Sequence, residues 1–81
     1  MEHVELSMGH PTTGSPCQCS VWIVSRHATQ GGAEVTWHAK VREQGQAERE
    51  FGLRHTELME GALLLPPEVL AKSLLTQSLA S

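Results

Sequence analysis

Any chemistry in this 81-residue chain has to come from a small set of side chains. Cys17-Gln18-Cys19 is the most conspicuous group. On a strand both thiols point to the same side, and thiolates favour soft or borderline ions such as Cu(I) and Zn²⁺. A closed zinc site, however, needs four ligands, usually from two CxxC-type or Cys/His pairs. The spacing here is CxC, and the missing ligands would have to be scattered histidines such as His10 or His27. Free cysteine is also commonly buried as a small hydrophobe. Metal binding or redox chemistry at Cys17 and Cys19 is therefore the lesser reading, and no cofactor is expected.

The five histidines, His3, His10, His27, His38 and His55, show no H-x₃-H spacing. His38 has a structural explanation as a cross-strand neighbour of Glu50, and surface pairs of that kind are usually inert. Nucleophilic catalysis calls for a Ser or Cys held at a sharp strand-to-helix turn, with a base and an orienting acid. Ser15 and Cys17 lie in a Pro/Gly-rich stretch without a G-x-S-x-G pattern. A Cys17–His27–Glu34 arrangement can be drawn, as it can in many sequences of this size. No Walker loop and no GxGxxG is present, and Gly31-Gly32 reads as a turn. The chain is not expected to be an enzyme.

Composition narrows the choice further. There is no Asp, Asn or Tyr, so every carboxylate is a Glu. That removes Asp-rich Ca²⁺ and Mg²⁺ sites and N-glycosylation sequons. A net charge of −3 with six Lys and Arg offers no electrostatic footprint for nucleic acid. Hydrophobic content of 40% with 19% charged residues is that of a globular chain. The first residues lack the basic and apolar regions of a signal peptide, and no apolar run approaches the roughly 20 residues that span a bilayer. These features lead to the expectation of a cytoplasmic chain with reduced thiols and no membrane partner.

The elements that must position these groups follow from periodicity. Residues 3–8 alternate, with Val4, Leu6 and Met8 on one face. Residues 9–16 are a Gly/Pro/Ser/Thr loop. A second strand spans 18–27, and 28–32 turns the chain. Residues 33–42 alternate without exception: Ala33, Val35, Trp37, Ala39 and Val41 share one face, and Glu34, Thr36, His38, Lys40 and Arg42 share the other. A three-residue loop at Glu43-Gln44-Gly45 places Arg42 opposite Gln46. It then sets Val41 against Ala47, Trp37 against Phe51, Val35 against Leu53, Lys40 against Glu48, His38 against Glu50 and Glu34 against Arg54. Arg49 is the misfit on the inner face, opposite Ala39. Thr56 suits the N-cap of a short helix through Glu60, and Pro67 suits the first position of a helix reaching about Ala80. On that helix Leu70, Ala71, Leu74, Leu75 and Ser78 form one arc. The expected fold class is α+β: a single domain over 1–81, built as a four-stranded antiparallel β-meander with a C-terminal helix packed on one face. Residues 9–16 are its loop and 56–81 its helical part.

β-β-β-α order is similar to the latter part of a double-stranded-RNA-binding domain, in order alone. The basic helix start that grips phosphate is replaced by Pro66-Pro67-Glu68. Weak RNA binding is accordingly the second alternative, with nucleic acid disfavoured.

The apolar run Val21-Trp22-Ile23-Val24 raises the remaining question, because a strand of four apolar residues has no polar face. If Ile23 faces Trp37, then Arg26 lies opposite Glu34 and Trp22 lies beside His38 on the outer face. The other register leaves Val21 and Ile23 outside. Either way two large apolar side chains sit on the face opposite the helix. The first sixteen residues cover them, or they bind something. A patch of Trp22 and Val24 rimmed by Arg26, His38, Lys40 and Arg42 has the composition of an interface hot spot. The leading expectation is a protein-binding module acting by occlusion or assembly on another protein or on itself as a homodimer. Small inhibitor or accessory proteins of phage and mobile elements are built on this scale.

Overall fold

The computed structural model describes residues 1–59 and 61–80, and over 53–59 it describes the backbone. Four strands, β1 (Glu2–Gly9), β2 (Pro16–Thr29), β3 (Gly32–Glu43) and β4 (Arg49–Met59), precede one helix, α1 (Pro67–Ala80). The strands form one antiparallel sheet in the order β1-β2-β3-β4. Helix α1 packs on its inner face, chiefly against β1 and less against β2. This is the α+β meander that the alternating patterns predict.

The inner face and the helix share one core. Val4, Cys17, Cys19, Val21, Ile23, Val35, Trp37, Ala39 and Val41 are buried from the sheet, and Leu70, Ala71, Leu74, Leu75 and Leu79 from the helix. Burying a leucine contributes about 1.5–3 kcal/mol, so the four buried helix leucines are a principal tie between the layers. Pro67 begins α1 where its absent N–H costs nothing, and Leu70 N–H donates to the Pro66 carbonyl at 3.0 Å. Leu79, rather than Ser78, completes the buried arc.

Three expected features differ. The turn at Glu43-Gln44-Gly45 forms, with Gln46 N–H donating to Glu43 O at 2.9 Å and Gly45 at φ 80°. Pairing, however, resumes only at Arg49, which lies opposite Val41, so the ladder slides by two residues: Lys40 meets Glu50 and Ala39 meets Phe51. An even slip preserves the inner and outer faces. It exchanges the expected Trp37–Phe51 pair for a large residue over a small one. Arg49 is exposed, with its guanidinium 4.8 Å from the Phe51 ring centroid.

A further irregularity follows at once. Between Ala39 and Trp37 the register shifts again, leaving Trp37 opposite His55, Val35 opposite Glu57 and Glu34 opposite Leu58. Gly52 stands at the shift with φ +79°, and a Cβ there would lie 2.6 Å from the Trp37 carbonyl oxygen and 3.0 Å from its indole. Only glycine lets the strand pass this close.

The short helix expected from Thr56 does not form, because Thr56 to Met59 continue β4 opposite Thr36 to Ala33. A single helical turn fixes several dihedrals for one hydrogen bond, whereas β3 offers those residues a complete ladder. The helical part begins at Pro67. Glu60, the expected end of the short helix, lies outside the described residues.

Candidate functional site

On the face opposite the helix, the registers of β1, β2 and β3 assemble rows of side chains that are remote in sequence. Ile23 faces Trp37, which is the first of the two expected registers, and at the tryptophan His3 pairs with Trp22 and Trp22 with His38. The three rings stack as a ladder. His3 and Trp22 centroids are 4.9 Å apart with planes at 9°, and Trp22 and His38 are 4.8 Å apart at 10°. Trp22 is half-buried, and both of its faces are occupied. The N-terminal strand therefore neither caps the tryptophan nor leaves it bare. It lies alongside and supplies one imidazole. A nucleobase stacks on a free aromatic face, and the described ladder leaves Trp22 none to offer.

The next row is Glu5–Ser20–Lys40, followed by Ser7–Gln18–Arg42. Ser20 Oγ donates to Glu5 Oε2 at 2.6 Å, Ser7 Oγ donates to Gln18 Oε1 at 2.9 Å, and His3 Nε2 lies 3.3 Å from Glu5 Oε1. Glu5, Ser7, Gln18, Ser20, Lys40 and Arg42 line a shallow groove of about 400 Å³. Lys40 and Arg42 are exposed, and neither takes part in an ion pair among the described residues. Val24 is 40% exposed, at the point where the β2–β3 register shifts.

That bulge relocates one expected member of the patch. Beyond it Arg26 lies opposite Val35, and His27 takes the place opposite Glu34. One extra residue in β2 turns Arg26 to the helix side. There its Nη1 donates to the carbonyls of Ala62 at 2.7 Å and Leu65 at 2.6 Å, and its Nη2 to Glu2 Oε1 at 2.8 Å. Arg26 fastens the segment before α1 to the sheet. An alternating pattern in the sequence gives no signal of this, because the bulge that causes it falls inside an unbroken apolar run.

The remaining groups resolve separately. Cys17 and Cys19 are buried in the core as free thiols. Burial, with a smaller contribution from Glu43, pushes the Cys17 thiol up. Burial first, then Cys17 and Glu5, pushes Cys19 up to about 11. A thiol held protonated is a poor nucleophile and a poor ligand. Among the described residues no three His, Cys, Asp or Glu side chains gather as a metal site. Cys17 and His27 stand ten residues apart on the same strand, about 33 Å at 3.3 Å per residue, so the drawn Cys17–His27–Glu34 constellation does not assemble. His27 Nε2 instead sits 3.7 Å from Glu34 Oε1 at the surface.

His10 has a role that its sequence context did not announce. Its Nδ1 accepts the backbone N–H of Thr12 at 3.1 Å and of Thr13 at 3.4 Å, and its Nε2 is 3.9 Å from Glu43. It thereby organises the β1–β2 loop. The His55 side chain lies outside the described residues.

Among the described residues no helix is long and apolar enough to cross a membrane. No protein-family model, curated protein or solved structure matches the chain.

Proposed function

We propose that this chain is a small, non-enzymatic protein-binding module of the cytoplasm, acting as an inhibitor or accessory protein that engages a protein partner through the outer face of its sheet. The observation that carries the reading is the His3–Trp22–His38 ladder: a tryptophan presented by its edge, on the face the helix does not cover, between two rings that hold it still. Interface hot spots favour tryptophan, and a side chain ordered before binding loses little entropy on docking. Exposed Val24 extends the apolar centre, while Lys40 and Arg42 supply a cationic rim suited to acidic side chains on the partner.

The test is cross-linking and affinity capture with the wild-type chain, Trp22→Glu, His38→Glu and Val69→Glu. The last is a control, since Val69 is 47% exposed on the helix. A partner held by the wild type and by Val69→Glu but lost by folded Trp22→Glu and His38→Glu supports the reading. Equal capture by folded Trp22→Glu sinks it.

A further inference from the structure

Edge strands that do not pair usually carry a device that prevents it: a proline, a bulge, a lysine or an inward charge. Strand β4 contains the Gly52 irregularity. Strand β1 pairs with β2 residue for residue without a shift, and it contains neither proline nor lysine. Its one inward charge, Glu2, stands at the strand's end and is neutralised by Arg26. Along its inner face Val4 is 5% exposed, yet Leu6 and Met8 are only partly buried although they pack against the core.

We propose that the free edge of β1 pairs antiparallel with β1 of a second copy of this chain, about a two-fold axis through Leu6. The register follows from which residues become neighbours. With the axis at Leu6, Leu6 faces Leu6 of the second copy and Val4 faces its Met8 on the inner side. On the outer side Glu5 faces Ser7 and His3 faces Gly9, and no like charges stand directly opposite. Moving the axis to Glu5 sets two Glu5 carboxylates against each other, which is destabilising. Moving it to Val4 or Ser7 shortens the ladder. Any register one residue out sets the apolar inner side of one copy beside the polar outer side of the other.

The pairing completes cover of Leu6 and Met8 with the second copy's Met8, Val4 and Leu6. It also keeps both helices on one side of an eight-stranded sheet. A single four-stranded sheet covered by one helix gains from such a supplement, because small folds bury a low fraction of their surface. This surface is distinct from the Trp22 face and does not depend on it.

Cysteine scanning tests the register. Residues directly opposite in an antiparallel pair have Cα atoms about 4.5–5.5 Å apart, within the span a disulfide closes. Under mild oxidation Leu6→Cys is expected to form a covalent dimer at least about tenfold faster than Glu5→Cys, because residue 5 does not face itself in the proposed pairing. Sedimentation equilibrium supplies a second arm at exposed Ser7. Ser7→Glu places two carboxylate pairs across the junction and weakens the dimer about tenfold, whereas Ser7→Lys places lysine against Glu5 and tightens it. A chain that sediments as a monomer across the concentration range, with Leu6→Cys no faster than Glu5→Cys, overturns the proposal. So does a dimer indifferent to both Ser7 variants but dissociated by Trp22→Glu, an outcome that would place self-association on the outer face instead.

Discussion

Trp22 on β2 and His38 on β3 lie as a directly opposed pair, their rings 4.8 Å apart and 10° from parallel. His3 completes the stack from the other side. Stacked rings of this kind are worth about 0.5–1.5 kcal/mol beyond the area they bury. A double-mutant cycle of Trp22→Ala with His38→Ala, followed by urea unfolding, is expected to show a coupling of that size. The same cycle with His3→Ala should give a comparable value. Coupling indistinguishable from zero would mean that the rings are neighbours without mutual stabilisation.

Gly52 is expected to tolerate no side chain. Alanine there meets the Trp37 carbonyl at 2.6 Å and must hold φ near +79°. The left-handed conformation alone costs about 1–2 kcal/mol, and relieving the overlap adds to it. Gly52→Ala should lower the thermal midpoint by more than Gly45→Ala does. Gly45 also has positive φ, but its Cβ would meet nothing within 4 Å, so the difference isolates the contact with Trp37.

Arg26 should be a residue of stability. Its guanidinium satisfies the carbonyls of Ala62 and Leu65 and pairs with Glu2. Arg26→Met leaves those groups without their charged donor and is expected to cost about 2–3 kcal/mol. Hydrogen exchange over residues 61–65 should quicken. Lysine, lacking the planar fork, should restore less than half of the loss. Capture of a partner through the Trp22 face should be unchanged once folding is complete.

The buried thiols make stability fall on the alkaline side. Cys19 is pushed from its ordinary 9.0 up to about 11, first by burial, and Cys17 shifts the same way. As pH rises past 9 the unfolded thiol ionises while the folded one stays protonated, so the unfolded state binds fewer protons and gains free energy of ionisation. The contribution of Cys19 is full below pH 9 and is progressively lost as pH climbs to 11 and beyond. Urea midpoints measured across that window should fall less steeply for Cys19→Ala than for the wild type. A thiol reagent at neutral pH should label the folded chain far more slowly than the unfolded one.

Most of the fold was legible because periodicity reports which side of an element is dry. The unbroken alternation of residues 33–42 and the Leu70–Leu75 arc after Pro67 determined strand, helix and inner face by themselves. So did the identities that chemistry needs: two thiols without partner ligands, no aspartate, and one apolar run too thick for a single face. Trp22 beside His38 was one of two placements that the apolar run left open, and it follows by an unbroken count only once the assembled sheet sets Ile23 opposite Trp37. What periodicity does not report is a break in the count. The bulge at Val24 carried Arg26 from the outer face to the helix side. The longer β3–β4 connection and the irregularity at Gly52 separated Trp37 from Phe51 and drew Thr56 to Met59 into β4. Those outcomes are decided by whether an indole fits over a glycine and whether a guanidinium can reach two carbonyls nearly forty residues away. His3 reached Trp22 for a related reason: only closure of the sheet brings the first strand alongside the second. Local pattern set the faces and their chemistry; packing between distant residues set the register, because steric fit and long-range hydrogen bonds act between residues that no local pattern connects.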